Sequence, residues 1–372
     1  MADDRGAPRR RQSDIARAAG VSQATVSMVL NGRTGRGAAI RPETRERVLA
    51  AAAELGYAGN PAARSLAGGR NRLLGVFTFE SVFPAESADF YHPFLVGVER
   101  AAEAEGYDLI LFTSAAGPDG RRRIYRDNFN RLRMADGCVL LGYERDRSEL
   151  DRLAGEDFPF VVIGRRDVPG RDVAYVAADY TTPTAEAVGR LAALGHHAIA
   201  YLGSGLDAEH VLDREEGYRQ ALAAHGLDPD PRLYVSPARS LRVDDLHGLR
   251  ALGATAFLTE DDSILRRLLE LTSSVGLHAP DDFSLVTLVD PSPLRPDADV
   301  SGLRVPRLEM GAAAVRMLGA MLSDSPEMGA AGADGADGRR LVLPCDFAAG
   351  TTTGPPPSPR PSSPPRPRPS RK

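Results

Sequence analysis

The sequence predicts a small all-α head containing a helix-turn-helix, followed by an α/β core of two Rossmann-like lobes. Three observations predict this arrangement. Residues 13–31 have the spacing of two short helices separated by a glycine. From residue 73 onward, short apolar strands alternate with amphipathic helices. At 372 residues, the chain is also too long for one compact core.

The first two predicted helices are short and amphipathic. Gly20 follows the first helix, where glycine enters a left-handed turn without steric cost. Ser22 stands at the N-cap position of the second helix, where its hydroxyl can accept a backbone N–H. The inward faces consist of Ile15, Ala16 and Ala19, and of Val26, Val29 and Leu30. The outward face of the second helix consists of Gln23, Ala24, Ser27 and Met28.

That outward face carries no charge, so nothing opposes its contact with the base edges of DNA. An ordinary helical hairpin is the alternative, and the segment after the third helix disfavours it. The third helix is predicted over 41–56, with Pro42 in its first turn. Its apolar stripe consists of Val48, Leu49, Ala52 and Leu55.

A short hinge helix is predicted after Tyr57, with Asn60 as its N-cap. A helix of this length is unstable alone in water, so it should form only on binding. Leu66 is its one large apolar side chain and Arg64 lies beside it. This pattern fits a leucine wedge inserted into the minor groove. A flexible linker with an incidental leucine fits equally well.

Charge is distributed unevenly along the chain. Residues 1–72 carry 13 arginines and 6 acids, and residues 351–372 carry 5 basic groups and no acid. The 278 residues between them carry 28 basic and 44 acidic groups. A basic head on an acidic body is typical of a nucleic-acid-binding module joined to a soluble domain.

Cys138 and Cys345 stand alone in apolar runs, which favours a reducing cytoplasm and no structural metal. The sequence has no signal peptide and no apolar run long enough to cross a membrane. It also shows no catalytic constellation and no cofactor motif. We therefore expect a cytoplasmic protein that is not an enzyme, has no cofactor and has no membrane partner.

The core pattern contains two series of strands and helices. Strands are predicted over 73–79, 108–114, 136–142, 159–165, 198–204, 255–260 and 284–290, and helices over 93–106, 216–226 and 263–276. Such alternation implies parallel sheets covered by helices on both faces. Ligands bind sheets of this kind at the carboxyl ends of the strands.

The segments DIARAAGVSQATVSMVLN, TRERVLAAAAELGY and NPAARSLAGG, in this order, resemble the lactose/galactose-repressor (LacI/GalR) family. The resemblance extends from about Ser13 to about Gly350. It implies a periplasmic-binding-protein-like core, with residues near 305–335 returning to the first lobe and LVLPCDF joining the second. It also implies that the chain is a ligand-responsive regulator, most often a repressor in this family.

By position, the resemblance assigns base contacts to Gln23, Ala24 and Met28, and phosphate contacts or helix support to Thr25, Ser27 and Asn31. Leu66 matches the minor-groove wedge. The predicted DNA-binding residues are Ser22, Gln23, Ala24, Thr25, Ser27, Met28, Asn31, Asn60, Arg64 and Leu66. Met28 departs from the polar readers of many members, and Arg41 from the usual serine cap. The loop before Thr44, with Arg33 and Arg36, is longer than usual.

For the ligand, Arg214 matches the family's pocket arginine and Asp262 its pocket aspartate. Phe90 and Tyr91 match aromatic positions that could stack on a sugar ring, and Arg165 is a further candidate. A carboxylate and a guanidinium suit the hydroxyls of a sugar or polyol. The alternative is that Arg214 and the acids only cap helices and pair on the surface. The segments TEDD and TLVD depart from the family pattern, and Glu260 and Asp261 are additional acids.

The predicted organisation is a basic arm (1–12), a helix-turn-helix domain (13–57), a hinge (58–71), a two-lobed core (72–350) and a disordered Pro/Arg-rich tail (351–372). The tail has no leucine heptad, which argues against a helical tetramerisation tail. A homodimer is therefore expected, because two recognition helices must reach the two half-sites of a palindromic double-stranded operator. The other expected partner is a small-molecule, sugar-like effector. The rival functions are a solute-binding protein and a sugar- or nucleotide-modifying enzyme with the same core.

Overall fold

The computed structural model describes residues 11–30, 40–55, 71–79, 88–113, 122–143, 147–291, 299–323 and 338–358. The chain divides into two compact units, Met1–Leu73 and Leu74–Lys372. The predicted hinge helix and the predicted contact residues Asn31, Asn60, Arg64 and Leu66 lie outside the described residues. Within the described part, none of the helices has both the length and the apolar character needed to cross a lipid bilayer.

The head unit contains three helices: α1 (Gln12–Ala19), α2 (Gln23–Leu30) and α3 (Pro42–Glu54). Gly20 has a φ of 65°, which confirms the predicted left-handed turn after α1. The Ser22 hydroxyl accepts a hydrogen bond from the Thr25 backbone N–H at 3.1 Å, which confirms the predicted N-cap. Arg41 makes no side-chain hydrogen bond to the start of α3.

The core of the head is formed largely by the residues predicted from their spacing, although Leu30 and Leu55 are only partly buried. The buried residues are Ile15, Ala16, Ala19, Val26, Val29, Val48, Ala51 and Ala52. Leu49 was predicted to be part of the α3 stripe, but 45% of its surface is exposed. Ala51 takes its place because the stripe runs along the i, i+3, i+4 positions that start at Val48.

The core unit contains fourteen strands among its described residues: β1 (Leu73–Thr78), β2 (Asp108–Phe112), β3 (Tyr125–Arg126), β4 (Phe129–Asn130), β5 (Gly137–Leu141), β6 (Phe160–Ile163), β7 (Tyr175–Ala178), β8 (Ile199–Leu202), β9 (Tyr234–Val235), β10 (Ala256–Thr259), β11 (Ser284–Thr287), β12 (Ser301–Arg304), β13 (Arg340–Leu343) and β14 (Asp346–Ala348). Its described α-helices are α4 (Ala88–Ala104), α5 (Ser148–Ala154), α6 (Thr181–Ala193), α7 (Glu209–Ala224), α8 (Val243–Ala251), α9 (Asp262–Ser274) and α10 (Arg307–Leu322).

Twelve of the strands form two six-stranded sheets, one in each lobe, and β3 and β4 form a separate antiparallel pair. The first sheet has the order β13-β7-β6-β5-β1-β2 and the second has the order β14-β12-β11-β10-β8-β9. In the second sheet, β10 lies parallel to β8 and to β11. β14 is antiparallel to β12. The prediction of two Rossmann-like lobes with largely parallel sheets is confirmed.

Helix α10 returns to the first lobe, as the resemblance implied. Its buried residues Met310, Ala314 and Leu318 belong to the same apolar cluster as Leu74 and Val76 of β1. The contact with α4 is close because it is made through glycines. A Cβ at Gly97 of α4 would overlap the Leu308 carbonyl, and a Cβ at Gly311 of α10 would overlap the Phe94 carbonyl.

The assignment of the final strand LVLPCDF to the second lobe is wrong for its first half. Leu341 pairs with Val176 of β7 in the first sheet, whereas Phe347 pairs with Leu303 of β12 in the second. Pro344 separates the two strands. Proline has no N–H to continue a ladder, so the chain leaves the first sheet there and crosses to the second lobe.

The prediction of disorder from residue 351 onward is also partly wrong. The Leu285 N–H donates to the Thr352 carbonyl at 2.8 Å, and the Thr352 hydroxyl donates to the Leu285 carbonyl at 2.7 Å. His196, for which a structural role was predicted, lies within hydrogen-bond distance of the Gly354 carbonyl (2.9 Å) and of Ser284 Oγ (2.9 Å). The start of the tail is therefore bound along the second lobe.

Candidate functional site

The predicted outward face of α2 is exposed at two of its four residues. Gln23 and Ala24 are exposed, and Ser27 and Met28 are half-buried. The Ser22 and Thr25 hydroxyl oxygens lie 2.8 Å apart, so the two side chains brace each other at the start of the helix. The buried half of α2 is fixed by Val26 and Val29. The face therefore consists of uncharged side chains, and the opposite side of the helix packs in the core of the head.

The second lobe places an acidic side chain at the carboxyl end of β10. Glu260 is 1% exposed, and one of its carboxylate oxygens accepts a hydrogen bond from the Ser204 backbone N–H. Its other oxygen, Oε1, is buried and has no hydrogen-bond partner among the described residues. Burial raises the pKa of this carboxyl, and the positive charge of Arg214 opposes that shift.

Arg214 is the basic group whose charge acts on Glu260. Its side chain is almost fully buried, with 5% of its surface exposed. The guanidinium carbon lies 4.1 Å from the centre of the Tyr180 ring, in a cation–π contact. Its Nε is buried without a hydrogen-bond partner among the described residues. A buried guanidinium with an unused donor is poised to bind an acceptor.

The position of Arg214 differs in one respect from the prediction, which placed it in a loop before a helix over 216–226. Helix α7 begins at Glu209, so Arg214 lies inside it. Gly217 allows this helix to pack closely on α6, since a Cβ at this position would overlap the Thr181 carbonyl. Tyr218 is held by a hydrogen bond from its hydroxyl to the Ile199 carbonyl at 2.8 Å. The glycine–tyrosine pair therefore fixes α7 and, with it, Arg214.

Asp262 is the first residue of α9, at the carboxyl end of the same sheet. Its Oδ1 is buried without a hydrogen-bond partner among the described residues. Burial raises the pKa of its carboxyl to about 6, although the positive charge of Arg307 acts in the opposite direction. The neighbouring Asp261 is instead the N-cap, and it accepts a hydrogen bond from the Ile264 N–H at 2.9 Å.

The predicted aromatic pair lies on the first lobe. Helix α4 begins at Ala88, five residues before the predicted start, so Phe90 and Tyr91 are helical residues. Their rings meet edge to face, with centres 5.1 Å apart. Tyr91 is buried, whereas Phe90 is exposed. Arg307 donates to the Phe90 carbonyl at 3.3 Å and lies 3.3 Å from the Asp290 carboxylate of the second lobe.

Arg165 is placed differently from the other candidates, because both of its terminal nitrogens already bind carboxylates. They lie 2.7 Å from Asp167 of the first lobe and 2.7 Å from Asp213 of the second lobe. Glu209 makes a second bridge between the lobes. It lies 3.1 Å from Arg147 and 3.5 Å from Arg166.

The structure therefore brings Arg214 and Asp262 to the same edge of the second sheet and places Phe90 and Tyr91 on the facing lobe. It uses Arg165 to connect the lobes. Sequence reasoning missed Arg307 and Glu209, which are the first residues of helices α10 and α7. No pattern in the sequence distinguishes them from surface charges. A helix-turn-helix head and a two-lobed core with unpaired polar groups at the strand ends together define a DNA-binding protein that carries a small-molecule receptor.

Comparison with known proteins agrees with this class. Residues 13–60 match the model of bacterial regulatory proteins of the lacI family. Residues 79–236 match the periplasmic binding proteins and sugar binding domain of the LacI family, and residues 188–353 match a periplasmic binding protein-like domain. The chain belongs to the lacI family of bacterial regulatory proteins, and it is a transcriptional regulator.

Individual relatives cover most of the chain. The HTH-type transcriptional regulator CelR of Thermobifida fusca is 30% identical over 282 residues, which is 73% of this chain and 79% of CelR. The regulator AglR of Rhizobium meliloti is 30% identical over 331 residues, which is 84% of this chain and 89% of AglR. The structure of the lac repressor dimer bound to operator and an anti-inducer is 20% identical, with a TM-score of 0.66, and covers 93% of this chain and 99% of the repressor.

Proposed function

We propose that the chain binds a palindromic operator as a homodimer and senses a sugar or polyol between its two lobes. The observation that carries the effector site is a set of three unpaired polar atoms at one edge of the second sheet. They are Arg214 Nε, Glu260 Oε1 and Asp262 Oδ1. Buried polar groups nearly always have a hydrogen-bond partner, so this edge needs a polar ligand or bound water.

Hydroxyl groups suit this set because each one both donates and accepts. A ligand hydroxyl can donate to the carboxylate of Glu260 or Asp262 and accept from Arg214. Phe90 supplies an exposed ring that can pack on the apolar face of a sugar. A transcriptional regulator CelR has been solved in complex with cellobiose; that structure is 26% identical to this chain, has a TM-score of 0.62, and covers 92% of this chain and 100% of its own. These features favour a carbohydrate effector.

The α2 face supports recognition of DNA bases. Gln23 can make a bidentate contact with adenine in the major groove, and Met28 can contact a thymine methyl group. Ser22, Thr25 and Ser27 are uncharged and suit phosphate contacts or support of the helix. Asn31, Asn60, Arg64 and Leu66 complete the proposed contact set by resemblance.

A dimer is favoured by the edge of the first sheet. Strand β2 is the last strand of that sheet, and Leu109 and Leu111 are each 37% exposed on it. An edge strand with two exposed leucines is a liability unless another surface covers it. The lac repressor has been solved as a dimer on its operator. We infer that a second copy of this chain covers the edge, which would pair two heads for two half-sites.

The effector part of the proposal is tested by calorimetric titration of the purified chain with a panel of mono- and disaccharides that includes cellobiose. We expect one class of carbohydrate to bind, and Arg214→Gln to weaken its binding at least about tenfold because a charged hydrogen bond is lost. Arg219→Gln, at an exposed position on the same helix, is the matched control and should bind normally. Equal binding by both variants would remove Arg214 from the site.

A further inference from the structure

A pocket lies on the first lobe, and its lining differs from the residues of the proposed effector site. Its volume is about 300 Å³. Four arginines and one carboxylate supply its charged lining, and an aromatic ring contributes one wall. These residues are Arg147, Arg166, Arg171, Arg340, Asp167 and Tyr175. None of the three residues with unpaired atoms at the effector site lines this pocket.

Two of the arginines are held by acids while part of each guanidinium remains available. Arg171 uses Nε to bind Asp151 at 2.7 Å. Arg340 uses one terminal nitrogen to bind Asp172 at 2.8 Å. The other guanidinium N–H groups of Arg171 and Arg340 have no partner among the described residues. Each acid therefore orients its arginine without occupying the whole donor fork.

The other two arginines are fixed in the inner wall. Arg166 is almost fully buried and donates to the Gly142 and Arg165 carbonyls, both at 2.7 Å. Arg147 and Arg166 share Glu209 as their acidic partner, at 3.1 and 3.5 Å. Because two cations share this one carboxylate, the inner wall keeps an excess of positive charge.

The ring of Tyr175 adds an apolar surface on the same side. The Arg340 guanidinium lies 5.9 Å from the centre of this ring. The volume of the pocket accommodates a tetrahedral anion together with a small organic group. Arginine forks match the geometry of phosphate oxygens and bind them in pairs.

We propose that this pocket binds a phosphate dianion, either free or as the monoester of a small metabolite, with Arg171 and Arg340 as its outer clamp. Arg147 and Arg166 supply the positive inner wall. Asp167 is exposed at the rim, and its carboxylate is paired with Arg165 at 2.7 Å. The proposal does not depend on the identity of the effector or on DNA binding.

The test is calorimetric titration of the full chain with two probes, inorganic phosphate and ribose 5-phosphate. The variants are Arg171→Gln and Arg340→Gln, whose side chains are exposed and whose folding is checked by thermal unfolding. Arg219→Gln and Arg232→Gln are matched controls, because each removes an exposed, acid-paired arginine elsewhere on the core. The controls also account for phosphate bound by the basic head, since all variants keep that head.

We expect saturable binding by at least one probe, weakened about tenfold by each pocket variant and unchanged by each control. Equal dissociation constants for the two probes would identify free phosphate, and tighter binding of the ester would identify a phosphorylated metabolite. No saturable binding of either probe up to about 10 mM, or equal binding by pocket variants and controls, would overturn the proposal.

Discussion

Replacing Asp262 by asparagine should make the core more stable at neutral pH while weakening the effector site. The Asp262 carboxylate is half-buried, with one oxygen unpaired among the described residues. Burial raises the pKa of this carboxyl from 3.8 to about 6. Each pKa unit corresponds to about 1.4 kcal/mol, so a shift of about two units corresponds to about 3 kcal/mol. Solvent screening of a half-buried group reduces the expected gain to about 1–2 kcal/mol.

The sign follows from the raised pKa. The folded state binds the proton more tightly than the unfolded state, so the wild-type chain loses stability as the pH rises from 3.8 through about 6. Asparagine carries no charge, so the Asp262→Asn variant does not lose stability over this pH range. The stability difference between Asp262→Asn and the wild type should therefore be present at about pH 7.5 and nearly absent at about pH 4.

The assay is calorimetric unfolding of the core at both pH values, with Asp261→Asn as the matched control. Burial alone would raise the pKa of Asp261, but its hydrogen bonds from Ser263, Arg239 and the Ile264 N–H lower it below its ordinary value. Removing that carboxylate should destabilise the core at neutral pH. A destabilising Asp262→Asn, or an equal effect at both pH values, would refute the reasoning.

Four other substitutions test three separate parts of the structure. Arg214→Lys keeps the charge but removes the donor fork, so effector binding measured by calorimetry should fall at least about fivefold while the unfolding temperature stays near that of wild type. Gly97→Ala should destabilise the core by roughly 2 kcal/mol or more, because its Cβ would overlap the Leu308 carbonyl. Gly248→Ala, in a helix with open space around it, should instead stabilise the chain by about 0.5–1 kcal/mol; equal effects in thermal unfolding would contradict the packing account. Ser22→Ala should destabilise the head by about 1 kcal/mol and weaken DNA binding, and unchanged unfolding of the head would show that the cap is unimportant.

Much of the architecture could be predicted from local patterns. The strand at 256–259 and the helix after it were recognisable because a short run of apolar residues is followed by acids and then by apolar residues at helical spacing. The Gly20 turn and the Ser22 cap depend only on neighbouring residues. The start of α7 was missed because its N-cap position is Ala208, which has no capping side chain, and because EHVLDREEG has weak apolar periodicity.

The candidate site was harder to predict, because its geometry depends on contacts between distant segments. Arg214, Glu260 and Asp262 lie at the same edge of the second sheet because β8 and β10 are adjacent in it. Arg165 looked like a ligand-binding group in sequence, but Asp213, 48 residues away, pairs with it. Only the folded arrangement shows which charges are paired and which are left for a ligand.

Selection of the purified full chain against random duplex DNA at near-physiological salt, followed by sequencing of the retained duplexes, tests whether the chain recognises a palindromic operator. Salt must be fixed, because phosphate contacts alone give sequence-independent binding that varies with ionic strength. We expect enrichment of a palindrome with two half-sites about one helical turn apart and an easily opened central step. Retention of duplexes with no common sequence, in the presence and absence of the carbohydrate panel, would contradict this expectation.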